Sequence, residues 1–211
     1  MFTDRKEAGM LLAKQLELYR NDKNALVLAI PRGGIIPANE ISKTLNLPLE
    51  IVLVKKISAP GNKEFAIGAV SLDDYIITSK SYTDERFLES EIRRLRKIIR
   101  EQMAYFLGNR KPLELEGKKL IIVDDGIATG ATLELVIATL KRKKADQIIV
   151  AVPVAPADAL ARIKHEVTKV ICLATPFPFQ SVGQHYSTFE QVEDETVKEI
   201  LEEQAKLTEI Q

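Results

Sequence analysis

The thirteen residues Leu120-Ile-Ile-Val-Asp-Asp-Gly-Ile-Ala-Thr-Gly-Ala-Thr132 decide the fold of this chain. Four aliphatic residues predict a buried strand, and two adjacent acids follow where that strand ends. A turn that contains Gly126 and Gly130 then leads into a helix, which is the strand–turn–helix unit of a parallel α/β sheet. Such a turn points backbone N–H groups into a concavity at the start of the helix, and this arrangement favours a phosphate group.

Asp124 and Asp125 add a second element to this stretch. They follow the carboxyl end of the predicted strand, where ligands bind in open α/β sheets. Thr129 and Thr132 add hydroxyl groups to the same turn. A phosphate pocket beside two carboxylates suits a sugar phosphate, which carries both a phosphate and neighbouring hydroxyls. The alternative is an ordinary strand-to-helix loop with solvated carboxylates, and the length of the whole pattern disfavours it.

Outward from this stretch, short aliphatic runs alternate with segments of helical periodicity. The pattern predicts strands over 25–30, 49–54, 120–123, 148–152 and 167–173, with one or two short strands in 69–78. It predicts helices over 3–19, 36–45, 84–107, 129–143, 156–164 and from 194 onward. Residues 57–68 contain Pro60, Gly61 and Gly68 and are predicted to form an exposed loop. We therefore expect an α/β fold, an open parallel sheet with helices on both faces.

The 211 residues are expected to form a single domain, because no repeat, low-complexity segment or linker divides them. Its core would comprise about 23–174, and the chain termini, 1–22 and 175–211, would form a small hood over that core. The longest apolar runs are too short to span a bilayer, and the amino terminus is charged where a signal peptide is apolar. A cytoplasmic location is therefore expected.

The composition excludes several classes of protein. Thirty Lys and Arg residues balance thirty Asp and Glu residues, and this neutrality disfavours a nucleic-acid-binding surface. Cys172 is the single cysteine, so internal disulfides are excluded, and two histidines are too few for a histidine-built metal site. The sequence also contains no P-loop, no Gly-x-Gly-x-x-Gly and no Gly-x-Ser-x-Gly motif.

The stretch 120–132 resembles the phosphoribosyl pyrophosphate (PRPP) motif of type I phosphoribosyltransferases, in which four hydrophobic residues and two acids precede a Thr-Gly turn. Pro31-Arg-Gly-Gly34 is similar to the family's pyrophosphate-binding loop, and 57–68 lie where the family places its flexible catalytic loop. Val182-Gly-Gln-His-Tyr186 resembles the segment that follows the base-binding strand. The pattern covers nearly the whole chain and is most similar to bacterial phosphoribosyltransferase-like proteins of undefined substrate.

The resemblance implies how PRPP would be held. Asp124 and Asp125 would bind the ribose hydroxyls and would contact Mg²⁺ only through the ribose or through water. The 5′-phosphate would bind the turn formed by Gly126, Ile127, Ala128, Thr129, Gly130, Ala131 and Thr132. The pyrophosphate would bind Arg32, Gly33, Gly34 and Lys55, since a guanidinium pairs with phosphate oxygens and glycines allow close backbone approach.

Two observations concern the chemistry at the acceptor. Family members that act on 6-oxopurines carry an aspartate immediately before the Thr-Gly pair, and Ala128 occupies that position here, so hypoxanthine and guanine are disfavoured. Glu64 is the only carboxylate in 57–68 and is the candidate general acid or base, which closure of the loop would partly desolvate. The alternative for Glu64 is a solvated carboxylate beside Lys63.

The acceptor-binding residues would come from the region after the last strand. Phe177 could stack on a flat base, or it could form the core of the hood together with Phe179 and Tyr186. Backbone groups around Leu173 could bind the edge of the acceptor, as the equivalent strand end does in the family.

The implied activity is transfer of the phosphoribosyl group from Mg·PRPP to a nitrogenous acceptor, such as a nucleobase, with release of pyrophosphate, as in nucleotide metabolism. The alternative is a PRPP- or nucleotide-binding regulator with the same fold and little catalysis. The expected partners are PRPP and a small-molecule acceptor, with neither a membrane nor a nucleic acid. The basic run 93–100 is either a solvated helix face or an edge of a homo-oligomer.

Overall fold

The structure is a computed structural model that describes residues 1–77 and 84–209, without the side chains of Lys63, Glu64 and 207–209. Its strands are β1 Ala25–Ala29, β2 Leu49–Ile51, β3 Lys55–Ala59, β4 Asn62–Val70, β5 Tyr75–Ile77, β6 Lys119–Val123, β7 Gln147–Val154 and β8 Lys169–Ala174. Its α-helices are α1 Arg5–Gln15, α2 Ile35–Leu45, α3 Glu85–Leu107, α4 Ala131–Arg142, α5 Ala157–Ile163 and α6 Asp194–Glu209. Short 3₁₀ turns cover Glu17–Tyr19 and Gly183–His185.

Five strands form a parallel sheet in the order β2-β1-β6-β7-β8. Side chains alternate between its two faces. On one face Val27, Ile121 and Ile149 pack against α1, α2 and α6. On the other face Leu28 and Ile122 pack with the apolar residues of α4 and α5. The predicted α/β class, with an open parallel sheet between two layers of helices, is confirmed.

Residues 57–68 do not form the exposed loop that the sequence predicts, and that prediction is wrong. They belong to the antiparallel pair β3–β4, which β5 extends into a three-stranded sheet. Pro60 and Gly61 form the turn between the strands, where Gly61 has φ of +74°. Ile57 and Ile67 are buried against one face of α3. Pro60 and Gly61 therefore mark a two-residue hairpin turn rather than a long loop.

Several element boundaries also differ from the predicted ones. The first helix begins at Arg5, because Asp4 caps its first turn by accepting a hydrogen bond from the Glu7 N–H at 2.8 Å, and it ends at Gln15. β2 ends at Ile51 rather than at residue 54, and α4 begins at Ala131. These shifts stay within a few residues of the predicted bounds and leave the order of the elements unchanged.

The two ends of the chain meet beside the carboxyl edge of the parallel sheet. Phe2 forms a parallel bridge with Tyr186, and its backbone N–H donates to the His185 carbonyl at 2.8 Å. Their rings pack with Ala8 and Val154 in a separate small core, which we call the hood core. The expected single domain with a core over about 23–174 stays a prediction. Across residues 1–77 and 84–209, no helix combines the length and apolar character needed to cross a bilayer.

The buried hairpin generates a stability prediction. Ile67→Ala should lower the free energy of unfolding by about 2–5 kcal/mol, because the substitution leaves a cavity between β4 and α3. Chemical denaturation followed by circular dichroism measures this loss. Phe65→Ala is the control on the same strand, since Phe65 is 44% exposed and its truncation should cost less. Equal losses from the two variants would contradict the burial of this strand.

Candidate functional site

Asp124 and Asp125 extend from the end of the central strand of the parallel sheet. β6 lies between β1 and β7, so the two half-buried carboxylates sit at the middle of the carboxyl edge. The Asp125 N–H donates to Oδ1 of Asp124 at 2.8 Å. The structure thus places both predicted ribose-binding acids where ligands bind in open α/β sheets.

The pKa of the Asp124 carboxyl is raised in the folded chain. Burial raises the pKa of this carboxyl well above its usual range, and the charge of Asp125 raises it further, whereas the hydrogen bond from the Asp125 N–H and, to a smaller extent, the positive charge of Arg5 lower it. A charged Asp124 is therefore less favourable in the folded chain than in the unfolded one, where water solvates it.

Asp125 is held by groups from both ends of the chain. Nε of Arg5 donates to its Oδ2 at 2.8 Å, and the Tyr186 hydroxyl donates to its backbone carbonyl at 2.6 Å. Arg5 also lies over the ring of Phe189, 3.8 Å from the ring centroid, and its Nη1 donates to the Glu190 carbonyl at 2.7 Å. Neither Arg5 nor Tyr186 was predicted to contact the acids.

The predicted phosphate turn divides into a buried part and an exposed part. Ile127 is buried, and its N–H already donates to the Val154 carbonyl at 2.9 Å, so it attaches the turn to the sheet. Gly126 is also buried and packs against Val182 of the hood core. Ala128 and Thr129 are exposed. The exposed part is the part that a phosphate can reach.

The turn ends at Gly130, which precedes α4 with φ of +81°, a conformation that glycine adopts most readily. Arg162 of α5 stabilises this end of the turn. Its Nη2 donates to the Thr129 carbonyl, and its Nε pairs with Glu134 of α4 at 2.8 Å. Ala131 and Thr132 begin α4, and Thr132 also lines a cavity described below. Nothing in the sequence predicted this role of Arg162.

The loop after β1 lies against the loop after β6. A Cβ atom on Gly33 would overlap Oδ2 of Asp125, and one on Gly34 would lie 2.5 Å from the Ile30 carbonyl oxygen. Both glycines are therefore required by packing between the two loops. Gly33 is half-buried, whereas Gly34 is buried and its N–H already donates to the Ile30 carbonyl at 3.1 Å, so the predicted pyrophosphate contact of Gly34 would have to replace that bond. The peptide bond between Pro31 and Arg32 is cis.

Arg32 and Lys55 line one cavity of about 320 Å³. The other polar residues of its lining include Gln102, Thr132 and Asp194. Oε1 of Gln102 is buried and has no hydrogen-bond partner. Arg32 forms long ion pairs with Glu193 and Asp194, at 3.8 and 3.7 Å. The cavity brings together two cations that the sequence analysis assigned to pyrophosphate.

The aromatic residues near the acceptor region separate into two groups. Phe179 stacks on His185 with ring centroids 5.3 Å apart, and Tyr186 is buried, so both belong to the hood core. Phe177 is 98% exposed. Leu173 is half-buried and contacts the hood core with its side chain. Of the three aromatics, only Phe177 is left available for stacking on a ligand.

Glu64 is the third residue of β4, close to the hairpin turn, and its side chain lies outside the described residues. Lys56 is exposed and lies in β3 next to Lys55. The proposed role of Glu64 thus stays a prediction, now attached to a strand of a hairpin.

A resident metal would need more ligands than the acid pair supplies. Among the residues that the structure describes, no group of three or more His, Cys, Asp or Glu side chains could hold a metal ion. Mg²⁺ keeps several waters and is often bound by one or two carboxylates together with substrate phosphates. The expectation that Asp124 and Asp125 contact such an ion only through the ribose or through water stays a prediction.

The chain matches known proteins over nearly its full length. A family model described as the phosphoribosyl transferase domain matches residues 3–187. "Putative phosphoribosyl transferase Rv0571c" of Mycobacterium tuberculosis (strain ATCC 25618 / H37Rv) is 35% identical over 208 residues, which are 96% of this chain and 46% of that protein. The chain therefore spans about half the length of the curated relatives that it matches.

Solved structures agree with the fold. The protein TT1426 from Thermus thermophilus is 37% identical, with a TM-score of 0.87 over 96% of this chain and 98% of that chain. The AQ2163 protein from Aquifex aeolicus is 16% identical with a TM-score of 0.50, over 80% of this chain and 72% of that one, and it shares the fold alone.

The raised pKa of Asp124 generates a prediction about stability and pH. Asp124→Asn should stabilise the protein at neutral pH, because the amide removes an unfavourable charge and its oxygen can still accept from the Asp125 N–H. The gain should shrink as the pH falls toward about 3.9, the pKa of an exposed aspartate, since both states of the parent then hold the proton. Melting temperatures of parent and variant across this range measure the effect.

The exposed residue Asp146 provides the control, and Asp146→Asn should not share the pH-dependent gain. A lower melting temperature for Asp124→Asn at neutral pH would show that the charge of Asp124 is satisfied in the fold.

Proposed function

We propose that this chain, which belongs to the type I phosphoribosyltransferase family, transfers the phosphoribosyl group of Mg·PRPP to a nitrogen of a small acceptor and releases pyrophosphate. The observation that carries the proposal is the contact between the loops 31–34 and 124–132. These loops end adjacent strands and meet where Gly33 lies against Asp125. One molecule with a phosphate at one end and a pyrophosphate at the other can therefore reach both.

In this proposal the two anionic ends of PRPP bind groups that carry positive charge or donate N–H hydrogen bonds. The 5′-phosphate binds the exposed part of the turn at the start of α4, where unpaired backbone N–H groups favour an anion. The ribose hydroxyls donate to Asp124 and Asp125. The pyrophosphate enters the cavity lined by Arg32 and Lys55, where it would replace Glu193 and Asp194 as the partner of Arg32.

The chain's contribution to the reaction is positioning and charge stabilisation. The bond from the anomeric carbon to pyrophosphate breaks ahead of attack, so that positive charge grows on the sugar and negative charge on the leaving group. Arg32 and Lys55 stabilise the leaving group, and the acids hold the ribose ring in line with the acceptor. Mg²⁺ bound with the pyrophosphate would neutralise part of its charge.

The acceptor proposed is a flat nitrogenous ring. The exposed ring of Phe177 supports this class, because an aromatic face can stack on a base. Ala128 carries no proton-transferring group, which disfavours acceptors whose family enzymes place an aspartate there. The choice among bases and small amines is left to the experiment.

Release of pyrophosphate from PRPP and Mg²⁺ against a panel of bases and amines tests the proposal. Mg·PRPP at a hundredfold excess over its dissociation constant should add about 2.7 kcal/mol to the free energy of unfolding, and ribose 5-phosphate should add less. The double variant Asp124→Asn, Asp125→Asn should stay folded and lose both binding and release. Binding without release for any acceptor would favour the regulatory alternative, and no binding by the parent would reject both.

Glu64 provides a separate prediction for acid–base chemistry. Glu64→Gln should lower turnover by roughly a hundredfold while the affinity for Mg·PRPP stays nearly unchanged, because the amide cannot move a proton. Steady-state rates and calorimetric titration measure the two quantities. Glu89→Gln on the exposed face of α3 is the matched control. Unchanged turnover in Glu64→Gln would mean that the proton leaves to water or that the acceptor has none to lose.

A further inference from the structure

We propose that Arg5, the first residue of α1, is a positioning residue for ribose recognition: it fixes the carboxylate of Asp125 so that its other oxygen accepts from a ribose hydroxyl. This inference rests on the proposed function, since it concerns the same PRPP site. It adds a residue from outside the two ligand loops, 120 positions away from Asp125 along the chain.

The ion pair is well shielded from solvent. Nε of Arg5 lies 2.8 Å from Oδ2 of Asp125, and the two side chains are 11% and 15% exposed. A charge-assisted hydrogen bond in such surroundings is stronger than a solvent-exposed ion pair. Arg5 therefore restrains the carboxylate instead of making a passing surface contact.

Arg5 is itself held in place by the carboxyl-terminal segment. Its guanidinium lies over Phe189, and its Nη1 donates to the Glu190 carbonyl at 2.7 Å. Phe189 stacks on Tyr186 with ring centroids 5.1 Å apart, and the Tyr186 hydroxyl donates to the Asp125 carbonyl. These contacts link Arg5, Phe189, Tyr186 and Asp125 in a closed ring, so the position of Arg5 does not depend on one bond.

Gly33 limits the carboxylate from the opposite side. A Cβ at residue 33 would overlap Oδ2, while Oδ1 would lie 3.1 Å from it. Oδ2 is thus enclosed between Arg5 and the backbone of the pyrophosphate loop. Oδ1 is the oxygen that we assign to the ribose hydroxyl.

A purely structural role for Arg5 makes a different prediction from a positioning role. If Arg5 only attaches α1 to the rest of the chain, its loss lowers stability and leaves ligand affinity unchanged. If it acts through Asp125, its loss weakens binding only while Asp125 is present. A double-mutant cycle on ligand affinity separates the two roles.

The experiment measures the dissociation constant of Mg·PRPP by calorimetric titration for the parent, Arg5→Met, Asp125→Asn and the double variant. Arg5→Met should weaken binding by roughly tenfold, because the substitution removes a charge-assisted hydrogen bond to the ligand-binding acid. The double variant should bind no more weakly than Asp125→Asn alone. Arg5→Lys, which keeps the positive charge, should restore part of the lost affinity and serves if Arg5→Met does not fold.

Arg142 offers a matched control. Its Nε pairs with Oδ2 of Asp74 at 2.8 Å and its Nη1 donates to the Tyr75 carbonyl at 2.7 Å, the same two kinds of contact that Arg5 makes. Arg142→Met should leave the affinity for Mg·PRPP unchanged.

Independent, additive losses from Arg5→Met and Asp125→Asn would overturn the inference, as would unchanged affinity in both Arg5→Met and Arg5→Lys. Either result, with a parent that binds Mg·PRPP, leaves the proposed function intact. A parent that does not bind overturns both.

Discussion

Two adjacent carboxylates at the end of a buried central strand need a nearby positive charge, and Arg5 supplies it. Asp124 is desolvated and repelled by Asp125; the hydrogen bond from the Asp125 N–H opposes both effects, and the positive charge of Arg5 adds a smaller opposing contribution. The guanidinium reaches the acids only if α1 lies beside the carboxyl edge of the sheet. The carboxyl-terminal segment must lie there too, because Phe189 and Glu190 hold Arg5. The contact with the acid pair thus links the first turn of α1 and the segment around Phe189 to the carboxyl edge of the sheet.

The same edge requires close contact between two loops. Parallel strands bring their carboxyl ends together, so the loops after β1 and β6 are neighbours. Gly33 lets the backbone of one loop approach the Asp125 carboxylate of the other, and Gly34 lets it approach the end of its own strand. The sequence predicted that these two glycines contact a ligand. In the structure they also allow the loops 31–34 and 124–132 to pack against each other. The absence of a Cβ at Gly33 and Gly34 is therefore required by packing, whatever contact these residues make with a ligand.

Local patterns in the sequence predict the parallel sheet, the order of its elements and the loops that carry the acids, Arg32 and the glycines. Periodicity and strand ends are local properties, so they can be read without a structure. Residues 57–68 were misjudged because Pro60 and Gly61 signal a turn but not whether strands flank it. Arg5 and Arg162 could not be predicted, because their partners lie far away along the chain and nothing in their neighbours marks them. The side chain of Phe177 was assigned two alternative roles, and only its exposure in the fold separates them.

Two charged groups of the site, Asp125 and Arg32, already have partners within the chain. Asp125 pairs with Arg5, and Arg32 pairs with Glu193 and Asp194. A ligand with hydroxyls and a pyrophosphate would therefore meet groups that are already paired, and its affinity would depend on which of these contacts it has to break. The two sets of contacts differ in how easily a ligand can break them. The Arg32 pairs are long and partly exposed, so a pyrophosphate can replace them at little cost, whereas the Arg5 pair is short and shielded. Arg5 is thus expected to stay on Asp125 when the ligand binds, while Arg32 changes partners.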